Sequence, residues 1–174
     1  MLEDGFKPTN TKTLGWVLLE SREGKRLLCV NFHGVKCLAR YEGYENYTQE
    51  ERAAVEEEWH IGNARQILRK IESVRAEYGD DVKTVVTGDC NFNSSSQAYR
   101  LIVEAGYKDA EESAKKRTKD GMRTSHTLGV QKSGEGLSID HVFSDAYMGE
   151  HRIVRTREAY YGSDHCPVFV TAKL

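Results

Sequence analysis

The chain has 174 residues, of which 39% are hydrophobic and 30% charged, a balance that provides one domain with a core and argues against disorder. Its net charge of -2 gives no general basic field for a polyanion and leaves room only for a local basic groove. No apolar run approaches the roughly 20 residues of a membrane span, and the opening "MLEDGFKPTN" lacks the basic-then-apolar pattern of a secretion signal.

In chain order, "LGWVLLE" (residues 14–20) and "RLLCVNFH" (26–33) predict two strands joined by a turn over "SREGK". A helix is expected to begin after Thr48, which has the capping-box spacing to Glu51, to break at Gly62-Asn63, and to resume with Ala64, Ile67, Leu68, Ile71 and Val74 up to a stop at Gly79. "VKTVVTGD" (82–89) predicts a buried strand. "NSSSQAYRLIVEAG" predicts a second helix, capped by Ser94 with Gln97 and ended by Gly106. Residues 109–122 are charged and carry no clear periodicity, whereas 137–145, 151–158 and 166–174 are strand-like. No repeat or low-complexity linker divides the chain, so residues 1–174 read as a single domain. Strands outnumber helices and helices fall between strands, which is the pattern of an α/β layered domain with a mixed sheet.

Of the four cysteines, Cys29, Cys37, Cys90 and Cys166, none forms a CxxC pair or a zinc-like spacing with histidine. Small buried thiols of this kind suit a reducing, cytoplasmic setting.

Four polar motifs fall at the ends of predicted strands: "NFH" (31–33), "GDCN" (88–91), "IDH" (139–141) and "SDH" (163–165). Polar groups at strand ends of α/β sheets converge on one crevice. Together they offer Asp89, Asn91, Asp140, Asp164, His33 and His165. Carboxylates and an amide suit a hard divalent cation, and histidines suit phosphate contact or proton transfer. The combination points to metal-assisted hydrolysis of a phosphate ester.

"TGDCNFNSSSQAY", "SIDHVFSD" and "GSDHCPVFV", with "VNFHG" upstream, together resemble the endonuclease/exonuclease/phosphatase superfamily, in the family's order. The resemblance runs from about Trp16 to the C-terminus. It implies a layered, deoxyribonuclease I-like α/β sandwich with mixed sheets and flanking helices, of which this chain matches the C-terminal part. It also implies Mg²⁺ or Mn²⁺ as cofactor. Asp89 resembles the acid that orients or activates the attacking water, and Asn91 the amide that holds phosphate or metal. Asp164 resembles a metal-side carboxylate, so that Asp164, Asp89 and Asn91 form the implied metal set. His165 resembles the histidine on the scissile phosphate, Asp140 the carboxylate that orients it, and His33 a second phosphate-side histidine. The family's metal-binding Glu has no counterpart in the sequence.

Other residues have plainer readings. His126, Thr127 and Leu128 fall at the edge of the implied site. The run 115–123 reads as a solvated loop or a grip for a polyanion. Tyr41, Tyr44 and Tyr47 read as loop pins or as a stacking platform. Trp59 reads as core, and His60, His141 and His151 as structural or exposed. Two alternatives to a phosphoesterase acting on a phosphate ester, nucleic acid included, stay open. One is a catalytically inactive fragment. The other is a phosphate- or metal-binding module that dimerises through an exposed sheet edge, or that needs an N-terminal half supplied separately.

Overall fold

Alternating apolar residues set up the first hairpin. In the computed structural model, which describes residues 14–36, 43–117, 123–125, 136–154, 156 and 162–174, β1 (Leu14–Glu20) and β2 (Arg26–Phe32) pair antiparallel from Leu14 opposite Phe32 to Glu20 opposite Arg26. The long helix α1 (Gln49–Tyr78) crosses over to β3 (Lys83–Asp89), which lies parallel to β2. After α2 (Gln97–Glu104) come β4 (Lys108–Asp109), the single turn α3 (Ala110–Ser113) and β5 (Lys116–Arg117). The chain closes with β6 (Asp140–Ser144), β7 (Tyr147–Ile153) and β8 (Val168–Lys173). One sheet has the order β1-β2-β3-β6-β4 and the other β5-β7-β8. This is the mixed-sheet α/β architecture expected.

Side chains alternate across a strand, so the first sheet has two distinct faces. Leu28, Val30, Phe32, Val86 and Phe143 form one core with Ala64, Ile67, Ile71 and Val74 of α1 and Ile102 of α2. On the opposite face Val85, Thr87, Val142 and Ser144 meet Met148, Val168 and Val170 of the second sheet around a cleft of about 320 Å³. The alternation matters for the site: His141 packs with Phe92 and Phe143 of the helix-side core, while its neighbour Asp140 falls on the same side of β6 as Val142 and Ser144 of the cleft.

Three expectations are corrected. Helix α1 runs unbroken for 30 residues through Gly62-Asn63. A single glycine costs only about 1 kcal/mol in a helix, and the buried stripe His60, Ala64, Ile67, Ile71 and Val74 outweighs it. The cap of α2 is Ser96, not Ser94, because the Ser96 hydroxyl accepts from the Ala98 amide while Glu57 of α1 accepts from Ser96 Oγ and the Gln97 amide. The strand expected over 151–158 begins earlier, at Tyr147 of β7, and residues 155, 157 and 158 of that expectation lie outside the described residues. The Thr48–Glu51 capping box forms as read. Among the described residues, no helix is long and apolar enough to cross a membrane. Cys37, Tyr41, His126, Thr127, Leu128 and residues 118–122 of the basic run lie outside the described residues.

His141 and Asp109 form a buried pair. His141 Nδ1 lies 2.8 Å from Asp109 Oδ2, and its Nε2 lies 3.0 Å from the Phe92 carbonyl oxygen. Both partners are acceptors when Asp109 is ionised, an arrangement that favours the imidazolium, whose two ring nitrogens both donate. Burial opposes that charge, but the Asp109 hydrogen bond and charge and the Phe92 carbonyl outweigh it, and the His141 pKa is raised above 6.5. The stability this pair contributes is complete below the unfolded value of 6.5 and is lost as pH rises through the folded pKa. His151, whose pKa burial lowers, acts oppositely and erodes stability as pH falls below 6.5. Denaturant unfolding across pH 5–9 is therefore expected to show a decline on the alkaline side that disappears in Asp109→Asn. An equally steep decline in the variant would exclude the pair as its source.

Candidate active site

Three strands deliver the candidate residues to one end of the sheet. Asp89 closes β3 and Asp140 opens β6, and the two are register partners. His33 follows the last residue of β2, which pairs with β3. His165 precedes β8 and is bridged to Ser125.

The result is a continuous chain of titratable groups. His165 Nδ1 lies 2.7 Å from Asp140 Oδ2. His165 Nε2 lies 3.6 Å from Asp89 Oδ2, and His33 Nε2 approaches the same oxygen at 3.4 Å. Because an ionised carboxylate only accepts, Asp140 fixes the proton of His165 on Nδ1 and turns Nε2 toward Asp89. Asp89 thus stands between two imidazole edges, at distances slightly too long for direct, strong hydrogen bonds.

Asn91 sits behind Asp89 with φ 55, the left-handed region that asparagine tolerates better than most residues. Its amide donates to Asp89 Oδ1 at 3.0 Å, and its Nδ2 donates to the Gly34 carbonyl at 2.9 Å. Its Oδ1 is buried and has no hydrogen-bond partner. A buried acceptor without a partner is costly, and strained backbone concentrates at functional sites.

The loop and turn approach so closely that two glycines are required. A Cβ on Gly34 would strike the Cys90 carbonyl oxygen, and one on Gly88, at φ 151, would strike the Phe32 carbonyl oxygen. The Cys90 thiol is fully buried, and burial pushes its pKa well above 9.0, which keeps it protonated and unreactive beside the acids.

Asp89, Asp140 and His165 can each present one ligand atom such that all lie within 4.8 Å of one another. Two carboxylates, an imidazole and the unpartnered Asn91 oxygen fit a small divalent cation. Of the residues read from the sequence, His33, Asp89, Asn91, Asp140 and His165 are brought together. Asp164 is exposed and its carboxylate is not in that three-residue group.

Thr124 is a residue the sequence did not reveal. It is fully buried. Its hydroxyl donates to the Leu137 carbonyl at 3.2 Å and accepts from the Ile139 and Asp140 amides, each at 3.1 Å. Its own carbonyl accepts from the Cys166 amide at 2.8 Å. It therefore ties the start of β6 to the segment carrying His165. One threonine in a polar stretch gives no sequence signal for such a role.

No family model matches the sequence, and no curated protein matches it. Solved structures do. An endonuclease/exonuclease/phosphatase from Bacteroides vulgatus superposes with TM-score 0.73 at 24% identity, over 98% of this chain and 59% of that one. A mannosyl-6-phosphatase from Bacteroides thetaiotaomicron superposes with TM-score 0.65 at 19% identity, over 94% and 57%. The human Nocturnin catalytic domain superposes with TM-score 0.55 at 14% identity, over 93% and 54%. The chain thus spans just over half the length of the structures it matches, and its fold is that of the endonuclease/exonuclease/phosphatase proteins, the deoxyribonuclease I-like α/β type.

Proposed function

We propose that this chain carries the centre of a divalent-metal-dependent phosphoesterase, hydrolysing a phosphodiester or phosphomonoester by in-line attack of water. The observation that carries the proposal is the run His33–Asp89–His165–Asp140 at the end of one sheet. The phosphatase among the similar structures supports the reaction class. Asp89 is the acid placed to orient the attacking water and take its proton. His165 and His33, when protonated, direct N–H donors at phosphoryl oxygens and offset the charge that develops there. Asp140 holds His165 in the required tautomer and stabilises its imidazolium. Mg²⁺ or Mn²⁺ held by Asp89 and Asn91, with Asp164 or Asp140, would supply further positive charge to the phosphoryl group.

The test is hydrolysis of bis-p-nitrophenyl phosphate and p-nitrophenyl phosphate with Mg²⁺, Mn²⁺ or EDTA. Turnover that requires the cation is expected, and the preferred compound identifies a diesterase or monoesterase. A folded sample inert toward both would overturn the proposal.

A second reading is favoured by one observation. Val17 and Leu19 of β1 are both 49% exposed, and Phe169 of β8 is 42% exposed. Apolar residues on edge strands invite another chain. In this reading the protein is a phosphate- or metal-binding module that dimerises. Sedimentation velocity is expected to show a concentration-dependent dimer, weakened by Val17→Lys, and a monomer at all concentrations would exclude it.

A further inference from the structure

Helix α1 contributes no residue to the candidate site, yet it sends a polar ring into the back of it. His60 is 6% exposed, and its Nε2 lies 2.7 Å from the Val35 carbonyl oxygen. A carbonyl only accepts, so Nε2 carries the proton. Val35 belongs to the irregular stretch 33–36 that begins with His33. The same stretch is held by the turn after β3, through the Gly34 amide to the Asp89 carbonyl at 2.7 Å and Asn91 Nδ2 to the Gly34 carbonyl at 2.9 Å. Those bonds come from the turn after β3, and His60 holds the stretch from α1.

The position of His60 is itself fixed. Its ring packs edge-on against Phe92, centroids 5.5 Å apart, and Phe92 stacks on His141 at 5.9 Å. Glu57, one turn earlier on α1, lies 4.0 Å from His60 Nδ1 and accepts from Ser96 Oγ at the start of α2. The helix face that holds Val35 is thereby referenced to the segment that follows Asn91. An apolar residue would fill this space equally well; the ring nitrogen supplies a donor that packing alone does not need.

We infer that His60 is a positioning residue that sets the distance of His33 from Asp89 by anchoring the Val35 carbonyl. The inference rests on the phosphoesterase reading for its functional consequence, but not for its structural one. Without the donor, the Val35 carbonyl is buried without a partner, and stretch 33–36 relaxes about the two remaining bonds. Displacements of this kind, remote from the chemistry, are costly to rate because reacting groups must be aligned closely.

The test compares the wild type with His60→Leu, which keeps the volume and removes the donor, and His60→Gln, whose amide keeps a donor at similar reach. Two quantities are read: kcat and KM on bis-p-nitrophenyl phosphate, and the His33 ring carbon–proton resonance in NMR spectra. His60→Leu is expected to lower kcat about tenfold with KM within about threefold, and to shift the His33 resonance. His60→Gln is expected to restore both. Ile67→Val, a mild core change, is expected to leave the His33 resonance in place. Should His60→Leu not fold, His60→Asn replaces it, since its shorter amide falls short of Val35. An unmoved His33 resonance in the variant lacking the donor, or a Gln variant as impaired as Leu, would overturn the inference. If the wild type turns over no ester, the phosphoesterase reading fails, and the His33 resonance alone still decides the role of His60.

Discussion

Asp140→Asn is expected to lower kcat on a phosphate ester by about 10²–10⁴-fold while changing KM by less than about threefold. The carboxylate accepts from His165 Nδ1 at 2.7 Å and is the group that places the remaining ring nitrogen toward Asp89. An asparagine of the same shape can turn its NH₂ group toward Nδ1. That arrangement makes Nδ1 the acceptor, so the ring can no longer carry protons on both nitrogens and be held as the imidazolium that donates to the phosphate. It also removes the negative charge that stabilises an imidazolium during turnover. The loss falls on kcat because the interaction is strongest when the ring is charged. Folding should change little, since Asp140 is only partly buried and its amide remains bonded to Thr124. The paired measurements are steady-state kinetics and the ¹⁵N shifts of the His165 ring. Unchanged kcat, or a ring already carrying its proton on Nε2 in the wild type, would remove Asp140 from the mechanism.

Gly88→Ala is expected to destabilise the protein by about 3 kcal/mol or more, placing it among the costly single substitutions. Gly88 has φ 151, a backbone region nearly reserved for glycine, and a Cβ there would collide with the Phe32 carbonyl oxygen on the adjacent strand. Relief requires β2 and β3 to separate at the point where His33 and Asp89 leave the sheet. Stability and activity should therefore fall together. For a chain of this size, that loss corresponds to a fall in Tm of roughly 6–12 °C. Thermal unfolding by circular dichroism measures it, and Gly62→Ala in α1, where nothing lies within 4 Å of a Cβ, is expected to be neutral or stabilising. A Gly88→Ala melt within about 2 °C of the wild type would show that the strands accommodate the methyl group.

Much of this arrangement was legible because strand ends are marked in sequence. Short β-branched runs followed by Asp89 and preceded by Asp140 place two acids at one sheet edge, provided the strands are neighbours. The register that makes them partners is a tertiary fact that no local pattern contains. Glycine chemistry misled at Gly62, where the apolar stripe of α1 overrides a local preference. Capping chemistry misled at Ser94, because Glu57, 39 residues upstream of Ser96, decides where α2 begins. Residues 109–117 were unreadable since β4, α3 and β5 are each four residues or fewer, too short for a period to emerge. His60 and Thr124 were missed for a different reason. His60 acts through one bond and the Thr124 hydroxyl through three, all to backbone groups distant in sequence, and such bonds leave no spacing to detect. Asp164 was read from the Ser-Asp-His motif, which marks a position but not the direction of its side chain, and the structure leaves it exposed.

The most direct measurement of the central claim is metal-dependent ester hydrolysis by the wild type and His165→Ala, at equal concentration and after unfolding curves show both to be folded. A fall of at least about 10²-fold in kcat, with cation-dependent turnover in the wild type, is the predicted result. Equal rates in the two proteins would contradict it, since a centre built on His33, Asp89, His165 and Asp140 cannot lose its middle imidazole without losing turnover.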